Sequence, residues 1–229
     1  MKNSGRIDQR RKTTTAEYAA NWIRSAILGG TYSTGQRLIE AEITDRLDVG
    51  RGPVREALRR LTTEGLVEIV PYRGAIVTRP TRSDVLGLIE AREAIESLGA
   101  TLAAQRIDDA GNRSRAETAL SALLDASCSA PDAEYMEENF TFHQFVSELS
   151  GNPHIGRLLS QLQLPPMQRS FFDLFSDSQR EDSRHEHKNI LMAILEGDPA
   201  KAENAMRRHI RHTATLLDQV PDAAFRPND

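Results

Sequence analysis

Hydrophobic residues in the first part of the chain recur every three or four positions, which is the spacing of one helix face. Thr14 and Glu17 match a capping box at the start of the first such stretch, and Gly29-Gly30 ends it. Two further stretches precede residue 65. The inward positions of the three predicted helices are Ala19, Trp22, Ile23, Ala26 and Ile27, then Ile39, Ile43 and Leu47, then Val54, Ala57, Leu58 and Leu61.

After Gly65 the pattern changes to that of short strands. Residues 66–70 and 75–77 are rich in β-branched residues, and the four residues 71–74 between them suit a hairpin turn. Three helices followed by a β-hairpin is the order of elements in a winged helix-turn-helix. We therefore predict this domain over residues 13–79.

The rest of the chain shows helical periodicity without a convincing strand. Helices are predicted at about 83–106, 112–127, 132–150, 153–170, 180–196 and 198–219, and Pro165-Pro166 should break or kink the fourth of these. The expected fold is mainly α, a winged helix-turn-helix followed by an all-α helical bundle. Residues 1–12 are predicted to be a disordered basic arm, 80–83 a linker, 84–220 the helical domain and 221–229 a tail.

Charge is divided unevenly between these two halves. Residues 1–80 hold 14 basic and 9 acidic side chains, whereas the remainder holds 15 and 24. Arg51, Arg55 and Arg59 are spaced by four and so share the outward face of the third helix, with no carboxylate between them on that face. Such a face is either simply solvated or made for a polyanion, and the surrounding order of elements favours DNA.

The expected DNA contacts are the start of the third helix and the hairpin tip. Arginine can bind guanine with two hydrogen bonds in the major groove, and a cation on the wing can reach phosphate or the minor groove. The predicted DNA-binding residues are Arg51, Pro53, Arg55, Arg59, Arg73 and Gly74.

The composition indicates a cytoplasmic protein without a membrane partner. No stretch approaches the roughly 18 apolar residues of a membrane span, and the N-terminus lacks the apolar core of a signal peptide. Cys128 is the only cysteine, so no disulfide can form within the chain.

Histidines mark the chemistry of the second half. His143, His187 and His209 fall on the inward faces of three different predicted helices, and Asn139 lies one turn from His143. A single inward histidine is usually a structural core residue, but three beside an amide oxygen make a metal site credible. Imidazole suits zinc, nickel, copper or iron. His143, His187 and His209, with Asn139 beside them, are therefore candidate ligands of such a metal.

Two polar residues are candidates for binding an effector. Arg92 lies on an apolar helix face, where an unpaired cation would be costly. Its partner is either Glu96, one turn further on, or the carboxylate of a bound ligand, which a planar guanidinium suits well. Asn152 is a weaker candidate for the effector cavity, and its position favours a plain helix cap.

The N-terminal motifs resemble the GntR-type regulators. The matching pieces are Leu38-Ile39-Glu40-x-Glu42-Ile43, Pro53-Val54-Arg55-Glu56-Ala57-Leu58-x-x-Leu61-x-x-Glu64-Gly65-Leu66-Val67 and Arg73-Gly74-Ala75-x-Val77. The family commonly has Ser-Arg-Thr before the proline, whereas this chain has Gly50-Arg51-Gly52. The hydroxyls that could contact phosphate are thus missing.

The C-terminal half resembles the FCD sensor domain of the FadR subfamily of those regulators. The matching pieces are Arg92-x-x-x-Glu96-x-x-x-Ala100-x-Leu102-Ala103-Ala104, Phe142-His143, Gly151-Asn152, Glu186-His187, Ala193-Ile194-x-x-Gly197-Asp198 and Ala202-x-x-x-Met206-x-x-His209. Many members hold a metal through an Asp and three histidines, and the Asp position is Asn139 here. The resemblance therefore implies a divalent metal, with zinc first, held by Asn139, His143, His187 and His209. The resemblance implies a homodimer, more often a repressor, that binds palindromic double-stranded operator DNA and responds to a small organic acid.

Two other functions stay open from the sequence. The same regulator could have a metal-free pocket for a larger effector such as an acyl-CoA. The chain could also be a metal-dependent enzyme with a DNA-binding appendage, because three histidines with open positions resemble catalytic metal sites. Against catalysis, no general base is expected on the faces of the ligands, since Glu186 precedes His187 by one residue and should point elsewhere. No catalytic residue is therefore predicted.

Overall fold

The computed structural model describes residues 14–109, 111–125, 132–162 and 176–226. The chain divides into two compact units with the boundary between Arg79 and Pro80. The predicted basic arm 1–12, Cys128 and the predicted break at Pro165-Pro166 lie outside the described residues.

The N-terminal unit contains three helices and a small sheet. The helices are α1 (Thr15–Leu28), α2 (Glu40–Leu47) and α3 (Arg51–Thr63). The strands are β1 (Arg37–Leu38), β2 (Val67–Val70) and β3 (Gly74–Val77), all antiparallel in the order β1-β3-β2. The predicted hairpin is present, with Ile69 opposite Ala75.

β1 was not predicted, and it corrects one expectation for the second helix. Residues 37–38 pair with β3, so α2 begins only at Glu40 and Ile39 becomes its N-cap. Ile39 is 43% exposed and does not join the buried face that Ile43 and Leu47 form. The prediction that Ile39 points inward is therefore wrong.

One apolar core holds this unit together. The α1 and α3 helices pack against each other, and Ile23, Leu58 and Leu61 are almost completely buried between the elements. Trp22 is partly buried at the edge of this core, with its ring edge-on to Tyr32 and the guanidinium of Arg46 5.4 Å from its centroid. The apolar faces of the three helices point into this core, so the cations of α3 lie at the surface.

All the regular elements in the described residues of the C-terminal unit are helices. Its helices are α4 (Arg82–Gln105), α5 (Asn112–Asp125), α6 (Asp132–Leu149), α7 (Pro153–Gln161), α8 (Asp177–Leu195) and α9 (Pro199–Leu216), followed by the 3₁₀ turns Leu217–Gln219 and Asp222–Ala224. The central helix is α4, which packs most extensively on α9 and also contacts α6, α7 and α8. The side chains that α4, α6, α8 and α9 turn inward can therefore meet. No helix in the described ranges is both long and apolar enough to cross a membrane.

The ends of this unit differ from the expected boundaries. Thr81 and Asp84 form a capping box, so Arg82 and Ser83 already belong to α4 and the predicted linker 80–83 is too long. The predicted tail packs onto the unit: Phe225 is 3% exposed, and the guanidinium of Arg82 lies 4.4 Å from its ring centroid. The described part of the fourth predicted helix, expected to reach residue 170, ends at Gln161.

Candidate DNA-binding face and candidate metal centre

The predicted DNA-reading helix presents its arginines to solvent. Arg51, Arg55 and Arg59 are exposed along α3, whereas Val54 and Leu58 face the core. Pro53 lies in the first turn, where its missing N–H costs no hydrogen bond. Gly50 is the N-cap of this helix and, having no side chain, makes no side-chain cap hydrogen bond.

One of the three arginines has a carboxylate partner that the sequence did not indicate. Arg55 Nε lies 2.8 Å from Glu40 Oε2, a residue of α2. The expectation that this basic face carries no carboxylate is therefore wrong at Arg55, because the partner comes from another helix. Within the described residues, Arg51 and Arg59 have no ion pair. Because the Arg55 side chain is 62% exposed, the pair with Glu40 is weak and open to exchange.

The turn between β2 and β3 carries the second group of candidate contacts. Gly74 has φ +82° and Tyr72 φ +62°, and both Arg73 and the fully exposed Tyr72 project from the tip. The guanidinium of Arg37, on β1, lies 4.0 Å from the position a Cβ would take at Gly74. Arg37 thus adds a second cation to the wing. It was missed because β1 itself was missed.

The three predicted histidines meet at one point inside the C-terminal unit. His209 Nε2 lies 3.2 Å from His187 Nε2 and 3.3 Å from His143 Nε2, and all three side chains are less than 10% exposed. Zinc–imidazole bonds of about 2.0–2.1 Å in tetrahedral geometry separate two ligand nitrogens by about 3.3 Å. The cluster therefore has the donor type and spacing of a divalent metal site.

Two of these imidazoles have a carboxylate next to their Nδ1 atom. Glu96 Oε2 lies against His143 Nδ1, and Glu186 Oε2 lies 2.8 Å from His209 Nδ1. An ionised carboxylate can only accept, so His209 Nδ1 donates to Glu186 and the Nε2 lone pair of a neutral ring then faces the centre, whereas His143 Nδ1 and Glu96 Oε2 are in close contact without hydrogen-bond geometry. This carboxylate–histidine arrangement is typical of metal ligands.

His187 is held by a different kind of contact. Its Nδ1 is buried without a hydrogen-bond partner in the described residues, and its ring stacks on Phe142 with centroids 3.8 Å apart and planes 13° from parallel. Burial, followed by the neighbouring charges of His209 and His143, lowers the pKa of His187 well below its usual range. The ring is thus kept neutral, which is the form that binds a metal.

The charges around Glu96 determine its protonation. Burial alone would raise the pKa of the Glu96 carboxyl, but the guanidinium of Arg92 and the imidazole of His143 outweigh burial and bring the pKa to about 2. Arg92 Nε donates to Glu96 Oε1 at 2.7 Å. The pKa of His143 is lowered by burial, against the opposing effect of Glu96.

A small cavity opens beside the histidine cluster. Its volume is about 20 Å³, which is space for one or two water-sized groups. It is bounded by polar side chains from α4, α6, α8 and α9. The polar lining residues are Arg92, Tyr135, Asn139, His143, Gln179, Ser183, Glu186, His209, His212 and Thr213.

The cavity contains most of the predicted site residues. Arg92 and Asn139 line it together with two of the histidines, and only the Nε of Arg92 is engaged by Glu96 in the described contacts. Asn152 does not line it. Its side chain accepts from His154 N at 3.0 Å and caps α7, so the plain helix-cap interpretation replaces the expected effector contact.

Glu186 corrects a further expectation. It was expected to point away from the ligands, yet its two oxygens lie 2.8 Å from His209 Nδ1 and 2.8 Å from His212 Nδ1. Glu186 precedes His187 by one residue and so points to a different side of α8. The α9 helix packs on that side and brings His209 and His212 to the Glu186 carboxylate. Sequence reasoning also missed the contact between Glu96 and His143, and the pattern offered no signal for either, because both join different helices.

Comparisons with known proteins agree with both halves of this description. Residues 15–77 match the bacterial regulatory proteins of the gntR family, and residues 87–212 match the FCD domain. The chain belongs to the GntR family of transcriptional regulators, with a C-terminal FCD domain. Its function is therefore regulation of transcription through DNA, as the sequence predicted.

Individual relatives cover nearly the whole chain. The HTH-type transcriptional repressor GlaR of Escherichia coli K12 is 26% identical over 218 residues, which is 91% of this chain and 98% of that protein. The repressor RspR of the same organism is 24% identical over 198 residues, 86% of each chain. The structure of E. coli McbR/YncC superposes with a TM-score of 0.73 at 17% identity, over 90% of this chain and 98% of that one. At that identity it shows a shared fold alone.

Proposed function

We propose that this GntR regulator is a homodimeric repressor of the FadR subfamily whose operator binding responds to a small organic acid at a zinc-bearing cavity. The observation that carries the proposal is the convergence of three buried histidines, two of which, His143 and His209, line a cavity that Arg92 also lines. His143, His187 and His209 would hold the metal, with Asn139 as an oxygen donor. When bound, zinc supplies a Lewis-acidic centre that an effector carboxylate can approach.

Arg92 is the proposed second contact for the effector. Glu96 binds its Nε and leaves the outer guanidinium nitrogens without a partner in the described residues. Those nitrogens can donate to a carboxylate in the cavity. The pair Arg92–Glu96 and a ligand contact are thus compatible, whereas the sequence had presented them as alternatives.

The proposed DNA contacts come from the N-terminal unit. Arg51, Pro53, Arg55 and Arg59 on α3 would face the major groove, while Arg73, Gly74 and Arg37 form a cationic wing. In a dimer each subunit would bind one half of a palindrome. The exposure of these cations and the weakness of the Arg55–Glu40 pair support this assignment.

The competing functions have less support. Ten of the twelve side chains that line the cavity are polar, which suits a small carboxylate better than the long apolar chain of an acyl-CoA. For a metal enzyme, Glu186 is close enough to act as a base, but both of its oxygens already engage histidines. We therefore propose no catalytic residue.

The deciding experiment is a thermal-shift screen of small organic acids with and without zinc, on the wild type and on His187→Ala. We expect an acid that raises the melting temperature of the wild type only with zinc, and that fails with the variant. That acid should then alter the affinity for the protein's own promoter DNA. Stabilisation by acids that is the same in the variant and without zinc would contradict the metal-assisted sensor.

A further inference from the structure

The candidate metal centre has no negative charge among its proposed ligands. His143, His187 and His209 are neutral when they bind a metal, and the amide of Asn139 is neutral as well. The three imidazoles are at most 7% exposed. A divalent cation enclosed in this way is costly unless charge close by compensates it.

Two carboxylates lie directly behind the imidazoles, at their Nδ1 atoms. Glu96 contacts His143, and Glu186 contacts His209. They differ in what else they touch. The other oxygen of Glu96 binds the guanidinium of Arg92, a permanent cation, whereas the other oxygen of Glu186 binds the imidazole of His212.

This difference separates the two carboxylates electrostatically. Arg92 offsets most of the charge of Glu96, because the two groups are 2.7 Å apart and Glu96 is enclosed. No arginine or lysine contact of Glu186 occurs among the described residues. Its negative charge is thus available to the centre through the His209 ring. The Glu186 side chain is also 27% exposed, so it can be changed without opening the core.

We infer that Glu186 is a positioning residue that provides, from behind His209, the negative charge that Asn139 does not bring to the metal. The inference rests on the proposed metal site. The carboxylate fixes the His209 ring with Nε2 towards the centre, and its second oxygen ties His212, a cavity-lining residue, to the same group. A ligand that displaces His212 would therefore act on a group that also holds a metal ligand.

The test is the zinc affinity of the full-length protein, measured by competition with a chromophoric chelator. Glu186→Gln keeps the size of the side chain and removes its charge, and we expect affinity to fall by about 10- to 100-fold. Asp182→Asn is the matched control, since it removes one charge from an exposed position of the same helix, and it should change affinity less than about twofold.

A second background tests the charge argument itself. Asn139→Asp places a carboxylate among the ligands, so the loss caused by Glu186→Gln should be at least several-fold smaller in that background than in the wild type. The absorption spectrum of bound Co²⁺ should change with Glu186→Gln and not with Asp182→Asn. The melting temperature of the metal-free variants should stay near the wild-type value.

The possible outcomes separate the two proposals. Zinc binding that His187→Ala abolishes but Glu186→Gln leaves within twofold would overturn this inference and leave the metal site standing. Equal losses from Glu186→Gln in both backgrounds would also overturn it, since charge compensation requires coupling. If neither the wild type nor His187→Ala binds zinc, both the proposed function and this inference are overturned.

Discussion

The two units of this protein use their polar residues in opposite ways. In the N-terminal unit the cations of α3 and the wing lie in solvent, and the side chain of Arg55 is 62% exposed. In the C-terminal unit His187, His209 and Glu96 are each 3% exposed or less. Exposed polar groups can be changed with little effect on the fold, whereas buried polar groups depend on the neighbours packed against them. Stability and function should therefore be separable in the first unit and linked in the second.

The largest effect should follow from removing the cation beside Glu96. Arg92→Met leaves a buried carboxylate without its guanidinium, and we expect the free energy of unfolding to fall by about 3–5 kcal/mol. Because Arg92 and His143 lower the pKa of Glu96 to about 2, the stability from this charge is present above the unfolded pKa of about 4.3 and is lost as pH falls towards 2. The difference in unfolding free energy between Arg92→Met and the wild type should therefore become smaller in that acidic range.

Urea unfolding at neutral and acidic pH measures this difference. The matched control is the double variant Arg92→Met, Glu96→Gln, which has no buried charge at this point and should recover part of the loss. Two results would mean that Arg92 stabilises the fold by packing and not by charge. One is a difference in unfolding free energy between Arg92→Met and the wild type that stays constant with pH, and the other is a double variant no more stable than Arg92→Met.

The second largest effect concerns metal binding alone. His187→Ala removes one of three converging nitrogens, so zinc affinity should fall by more than about 100-fold, beyond the effect of changing an outer partner. Isothermal titration with zinc measures it. His185→Ala is the control, because His185 is exposed on the same helix, and equal losses from both variants would exclude the buried cluster as the binding site.

A smaller effect is expected at the DNA face. Arg55→Ala should weaken binding to the operator by about 1–3 kcal/mol, which is the contribution of one good base contact, and should leave the fold intact because its pair with Glu40 is exposed. Fluorescence anisotropy with operator and scrambled DNA gives the comparison. Arg60→Ala changes another exposed arginine of α3, paired with Glu56, and should have little effect. Equal losses of affinity for operator and scrambled DNA would mean that Arg55 contacts phosphate and does not contact a base.

The smallest effect should come from the wing. Arg37→Ala should weaken binding to operator and scrambled DNA alike. It should also reduce the magnitude of the negative slope of log affinity against log salt by about one, because a wing cation near phosphate contributes through counterion release. Titrations over a series of salt concentrations measure the slope. An unchanged slope would place Arg37 outside the interface.

What the sequence could predict depends on whether a feature repeats along one element. The outward arginines of α3 and the inward His143, His187 and His209 follow from helical spacing, and the structure has them so. β1 has only two residues and no alternation to detect. Glu186 was misjudged because its angle on α8 was known but the approach of α9 was not.

The position of Trp22 gives the two units different optical properties. It is the only tryptophan of the chain, and it lies at the edge of the N-terminal core beside Tyr32 and Arg46. Emission excited selectively from tryptophan therefore reports on the DNA-binding unit, while the C-terminal unit is silent at that wavelength. A change in this emission when zinc or an acid is added would be a direct optical signal of communication between the two halves of the regulator.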